Sequence, residues 1–145
     1  MRLRWFILLL CLFTNGGVFA ENNKPIIKKP LPEKVSGVTT LSALQLATML
    51  ANKTNLVLID ARIQKGRNKG FIHHSIHLPD IDTNCATLAK LIPNKTSDVV
   101  FYCSSSECGR SMNSVKKARE CQYKNLYWFR GGFQEWKKNG YPYSK

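Results

Sequence analysis

The sequence predicts an α/β domain built on a largely parallel sheet with helices packed against it. Short runs that are apolar at every position, Leu56–Ile59, Val99–Tyr102 and Leu126–Phe129, have the length and β-branched or aromatic content of strands buried on both faces. Between them lie segments whose apolar residues recur every three or four positions, the spacing of one buried helix face. Alternation of the two patterns is what crossover connections between parallel strands produce.

The elements follow in order. Residues 21–36 are polar, with Pro30, Pro32 and several lysines, and read as an extended, mobile lead-in. Ser42 is an N-cap for a helix reaching Asn52, with Leu44, Leu46, Ala47 and Leu50 as its stripe. The strand Leu56–Ile59 ends at Asp60. Residues 61–70, rich in Arg, Lys and Gly, read as an exposed loop or short helix, and Phe71–Leu78 as holding another short strand ending at Pro79. Asp82 or Thr83 caps a helix through Cys85, Leu88 and Leu91, stopped by Pro93. After a turn at 94–97, the strand Val99–Tyr102 leads to Cys103, and a helix with Met112, Val115 and Ala118 on one side spans Gly109–Glu120. The last clear strand is Asn125–Phe129. Gly131 and Gly132 then break the chain, Phe133–Asn139 forms a closing helix, and Gly140-Tyr141-Pro142 ends it.

Residues 1–20 read as a secretory signal peptide. Arg2 and Arg4 precede the apolar run Trp5–Phe13, and Val18-Phe19-Ala20 offers a small residue for cleavage. The run is too short to span a bilayer, so no stable membrane span is expected after cleavage. Export to the bacterial periplasm is the expected destination. About 125 residues then remain, enough for one domain with its own core, expected to be a monomer. Loss of Arg2 and Arg4 lowers the formal charge from +13 to +11. Such a surface steers small anions or meets an anionic membrane, or serves solubility alone. Nucleic acid is not an expected partner, because an exported protein has little access to it. Trp128, Phe129, Phe133 and Trp136 flank a turn and helix start, which suits core or pocket wall better than a stacking platform.

Cys11 leaves with the signal, and Cys85, Cys103, Cys108 and Cys121 remain. In an oxidising compartment they allow three full pairings, among which sequence does not choose. Cys85 and Cys121 lie on different predicted helices, as buried small residues or as one structural disulfide. Cys103 is the leading candidate nucleophile. It stands where a strand enters a loop of small residues, Ser104, Ser105, Ser106, Glu107, Cys108 and Gly109, before Arg110 opens a helix. Unpaired N–H groups and a helix N-terminus favour a thiolate and an anion beside it. A carboxylate in that cradle repels an anionic substrate, so Glu107 is read as pointing outward. His73, His74 and His77 have no Cys or acidic partner at metal-ligand spacing, and His74 and His77 face opposite ways on a regular strand. No metal is expected.

Several segments together resemble the rhodanese-like family of single-domain sulfurtransferases. Leu58-Ile59-Asp60-Ala61-Arg62 stands for its strand-ending Asp-x-Arg, Gly70–Pro79 for its Gly-His-Ile segment, and Tyr102-Cys103 with Arg110-Ser111 for its active-site loop. Residues 122–126, Gly131–Trp136 and Gly140-Tyr141-Pro142 match its closing signatures. The resemblance covers residues 37–145 and implies a five-stranded, mostly parallel sheet flanked by helices on both faces. It implies that Cys103 takes sulfane sulfur from a small anionic donor such as thiosulfate, holds it as a persulfide, and passes it to a thiol or other thiophilic acceptor. No metal or organic cofactor is needed. Arg110 would help hold the donor and Asp60 would brace the loop. Arg62 would pair with Glu107 or line the pocket. Three departures stand out: Phe71 replaces a usual histidine, Gln122 a usual glycine, and the loop is longer, with a second cysteine and an acid. A longer loop implies a wider anion cradle. Cys108 opens an alternative, a thiol–disulfide oxidoreductase or redox sensor with a protein redox partner, in which Cys108 resolves an oxidised or persulfidated Cys103. A non-catalytic anion- or protein-binding module is a third reading. A phosphatase or arsenate reductase on the same fold fits the loop spacing and the exported location less well.

Overall fold

The three wholly apolar runs become the centre of one parallel sheet. The computed structural model describes residues 30–145, so the signal-peptide reading of residues 1–20 and the start of the lead-in lie outside the described residues. Strands β1 (Thr39–Leu41), β2 (Leu56–Asp60), β4 (Ile76–His77), β5 (Asp98–Tyr102) and β6 (Asn125–Phe129) form a five-stranded sheet in the order β1-β6-β5-β2-β4, parallel throughout. The short strands β3 (Phe71–Ile72) and β7 (Tyr143–Ser144) pair antiparallel beside it.

The period of two along β5 and β6 divides the core between the two faces. Val99, Phe101, Leu126 and Trp128 pack with Leu88, Val115 and Ala118 of helices α3 (Cys85–Leu91) and α4 (Arg110–Glu120). Val100, Tyr102 and Phe129 pack with Leu46, Phe133 and Trp136 of helices α1 (Ala43–Asn52) and α5 (Gly132–Lys138). Register aligns Asp60, Tyr102 and Phe129 across β2, β5 and β6. The carboxyl ends of these strands therefore open on one edge, where parallel α/β sheets place their sites.

Ser42 caps α1 in a full capping box, its hydroxyl accepting from Gln45 N–H while the Gln45 side chain accepts from Ser42 N–H. The cap of α3 is Asn84 rather than Asp82 or Thr83. Its side-chain oxygen accepts from the N–H groups of Ala86 and Thr87. Thr83 is instead buried, with its hydroxyl on Pro79 O and Ser114 Oγ. The strand expected within Phe71–Leu78 is two, interrupted at His74 (φ 60) by a turn closed from Ser75 N–H to Ile72 O. The alternation argument for His74 and His77 therefore does not apply. Segment 61–70 contains one turn of helix, α2 (Gln64–Arg67), and β1 and β7 are strands too short to announce themselves by periodicity.

Cys85 and Cys121 form a disulfide, with Cα atoms 5.3 Å apart, tying the start of α3 to the end of α4. The described part of the lead-in is also tied down. Val35 enters the core, Arg130 donates to the carbonyls of Leu31 and Pro32, and Arg119 donates to that of Ser36.

Gln122 occupies the left-handed position that ends α4 (φ 68), where Tyr123 N–H returns to Ala118 O. Its side chain is exposed, so a change there touches little else. Gln122→Gly is expected to stabilise the protein by about 1 kcal/mol, read as a raised urea midpoint at unchanged slope.

Candidate functional site

Cys103 follows the last residue of the central strand β5 and is fully buried. After Cys103 the chain curls through Ser104–Gly109, with Cys108 N–H returning to Ser105 O at 3.0 Å, and enters α4 at Arg110. Among the described residues, no protein group accepts from the backbone N–H groups of Ser104, Ser105 and Ser106. Small side chains at these positions let the backbone approach a bound anion closely. Cys103 and Cys108 form a disulfide across this loop, with Cα atoms 6.1 Å apart. The added loop length is thus drawn closed by its second cysteine. Cys108 is partly exposed and Glu107 exposed.

The loop is clamped from the start of α5. Phe133 N–H donates to Cys103 O (2.8 Å) and Gln134 N–H to Ser104 O (2.9 Å), so two of the first N–H groups of that helix hold the cysteine segment. The approach depends on Gly132, which adopts φ 61 and lies so close that a Cβ would overlap the Cys103 carbonyl oxygen. Gly132→Ala is expected to cost roughly 2–4 kcal/mol through backbone strain and overpacking. It should also displace Cys103, read as a lowered melting midpoint together with a changed thiol reactivity.

Asp60 does not touch the loop. Its fully buried carboxylate accepts from Arg62 Nη2 (2.6 Å), Arg62 Nε (2.8 Å), Tyr102 Oη (2.8 Å), Arg62 N–H (3.1 Å) and Arg67 Nη1 (3.1 Å). Burial pushes its pKa up, but the hydrogen bonds and charge of Arg62 outweigh that and hold the carboxyl below its usual range. Burial and the Asp60 charge push the Tyr102 hydroxyl up, so it stays protonated and donates. Ser75, 3.0 Å away, must then donate to Tyr102, because the one Tyr102 proton is already given to Asp60.

Arg62 pairs with Asp60 and not with Glu107. It spends further donors on Gly66 O and Gly70 O, and its guanidinium lies 4.6 Å from the Phe133 ring centre. Arg67 stacks on Phe71 at 3.8 Å, an aromatic contact occupying the position of the usual histidine. Arg110 pairs with Asp80 at 2.7 Å, which offsets its charge at the far end of the loop.

A groove of about 280 Å³ borders the cysteine loop, lined by Arg62, Lys69, Ser104, Ser105, Phe133 and Lys137 among others. Lys69 and Lys137 are exposed and supply its unpaired cations among the described residues. Sequence reasoning missed both lysines, together with Gln134 and the role of Gly132. The available signal was the i, i+4 spacing of Phe133 and Lys137, which puts them on one helix face. Among the described residues, no cluster of three or more His, Cys, Asp or Glu side chains could hold a metal, and no helix is long and apolar enough to cross a membrane. His73 bonds Ser144 Oγ and His77 bonds Arg62 O.

A parallel sheet with a cysteine loop between its central strand and a following helix, at the carboxyl edge, defines a class of α/β domain. A family model described as the rhodanese-like domain matches residues 42–139, and the chain belongs to that family. Solved structures similar to it include a thiosulfate sulfurtransferase from Pseudomonas aeruginosa, 18% identical over 74% of this chain with a TM-score of 0.64. Others are the BH2092 protein of Bacillus halodurans (17%, 73% of this chain and 76% of that one, TM-score 0.65) and the rhodanese-like domain of the Alr3790 protein of Anabaena sp. (22%, 76% and 80%, TM-score 0.62). The chain spans 20% of the length of the Pseudomonas chain. At these identities the likeness is one of fold. No curated protein matches the sequence significantly.

Proposed function

We propose that this protein is a sulfurtransferase in which Cys103 carries the sulfur. The thiolate of Cys103 attacks the outer sulfur of thiosulfate or a similar anionic donor, the S–S bond of the donor breaks, and sulfite leaves with the electron pair. The persulfide then gives its outer sulfur to a thiophilic acceptor. The observation that carries this reading is the placing of Cys103 at the buried end of β5, in a loop with uncommitted N–H groups beside a groove bearing Lys69 and Lys137. The N–H groups stabilise the sulfur anion and the lysines attract the donor. Arg62 and Asp60 are positioning residues, since their polar atoms are spent on one another and on the backbone.

The Cys103–Cys108 disulfide must be opened before Cys103 can react. It also supports a second reading, thiol–disulfide exchange or redox sensing without any sulfur donor. Export to the periplasm remains part of the proposal and rests on residues 1–20. The test is to reduce the purified protein, remove the reductant, add thiosulfate without oxygen, and measure intact mass, peptide masses and sulfite. The proposal expects one added sulfur atom on the peptide bearing Cys103 or one sulfite released per chain. Protein that neither gains sulfur nor releases sulfite, with thiosulfate or any other sulfane donor, would leave only the redox reading or the binding module.

A further inference from the structure

We propose that Cys108 completes the reaction by expelling the bound sulfur as sulfide, which makes the protein a sulfane-sulfur reductase whose product is the Cys103–Cys108 disulfide. The inference rests on the sulfurtransferase reading for its first half. The second half stands on the loop itself. Cys108 and Cys103 are joined with Cα atoms 6.1 Å apart, in a loop already bent by the bond from Cys108 N–H to Ser105 O. On the other side, α5 fixes Cys103 and Ser104 by their carbonyls. The two sulfurs therefore meet in the folded loop, and attack within it has the advantage of an intramolecular reaction over an external thiol.

The steps balance. After sulfite leaves, Cys103 carries a persulfide. The Cys108 thiolate attacks Cys103 Sγ, the bond between that sulfur and the outer sulfur breaks, and the outer sulfur leaves with the electron pair as hydrosulfide. Two thiols have been oxidised to one disulfide, and the sulfane sulfur has been reduced by the same two electrons. A dithiol reductant must then reopen the bond. Its thiolate attacks Cys108, the partly exposed residue of the pair, because Cys103 is fully buried. Cys103 leaves as the thiolate that the loop N–H groups stabilise. The second thiol of the reductant releases Cys108, and the reductant departs oxidised. The partner this chemistry demands is a dithiol, with no separate sulfur acceptor.

The test is a single turnover with thiosulfate as the probe, because any added thiol would itself strip the persulfide. Reduced, desalted wild-type protein and Cys108→Ser are each mixed with thiosulfate without oxygen, and sulfite, sulfide and peptide masses are followed. The wild type should release one sulfite and one sulfide per chain, with a sulfide rate constant independent of protein concentration, and finish with the Cys103–Cys108 peptide oxidised. Cys108→Ser should still release sulfite, keep the extra sulfur, and yield at least tenfold less sulfide. Its sulfite release shows that the variant is folded and competent. Wild type that releases sulfite but keeps its persulfide overturns the inference and leaves the sulfurtransferase reading standing. A sulfide rate constant that rises with protein concentration also overturns it, since the attacking thiol then comes from another molecule. Absence of sulfite from both proteins overturns the two together.

Discussion

Serine in place of Cys103 is expected to abolish sulfur uptake from thiosulfate while the protein stays folded. A serine hydroxyl is not ionised near neutral pH and does not form a stable persulfide, so no partial activity should survive. The fold should tolerate the change, because the segment is held through its backbone. Phe133 N–H binds Cys103 O, Gln134 N–H binds Ser104 O, and Gly132 packs on the same carbonyl. None of these contacts uses the sulfur. The comparison belongs with reduced wild type, so that the lost cross-link is not counted as a folding defect. After thiosulfate there should be neither added sulfur by intact mass spectrometry nor released sulfite, and circular dichroism should show a melting curve close to that of the reduced parent. Sulfur gained at another cysteine would remove Cys103 from its proposed role. If the variant kept the protein's cellular effect in full, a binding module would explain the protein better than an enzyme.

The largest loss of stability is expected from Asp60→Asn, about 3–5 kcal/mol at neutral pH. The carboxylate receives five hydrogen bonds, every one from a donor, and two of its partners are guanidinium groups. An asparagine turns an N–H₂ group toward some of these donors and leaves Arg62 without its buried counter-charge. Loss of order should spread to α2 and the β3–β4 turn, because Arg67 joins Asp60 to Ser75 and Arg62 holds Gly66 and Gly70. The pH dependence follows from a carboxyl whose folded pKa lies below its ordinary value. Such a group contributes its full stability above the unfolded pKa and loses it as pH falls through the folded one. The gap between wild type and Asp60→Asn in urea midpoint should therefore be widest near neutral pH and narrow below about pH 4. A gap that stays constant into acid would mean that the ionised carboxylate is not what Asp60 contributes.

Much of the fold was legible because its signals are local. The runs at 56–59, 99–102 and 126–129 read as buried strands, and Ser42 announced the start of α1. The strand, small-residue loop and helix around Cys103 could be read in the same way. The strand expected within Phe71–Leu78 is split in two for a reason that composition hides. His74 takes a left-handed conformation that no glycine marks, and the turn there is held by Tyr102, thirty residues beyond Ile72, and by Arg67 from the preceding helical turn. Asn84 capped α3 instead of Thr83 because Thr83 is drawn into the core by Ser114, thirty-one residues away.

The loop around Cys103 shows the same division. Sequence by itself determined the α/β class, the order of the main elements and the position of the cysteine at a strand end, since hydrophobic period and turn chemistry act over a few residues. Only the tertiary structure decided which cysteines pair, that Arg62 faces Asp60 and Arg110 faces Asp80, and that Gly132 lies against the Cys103 carbonyl. Those outcomes depend on which groups the packed sheet brings within a few ångströms of each other, and residues far apart in the chain carry no local mark of that meeting.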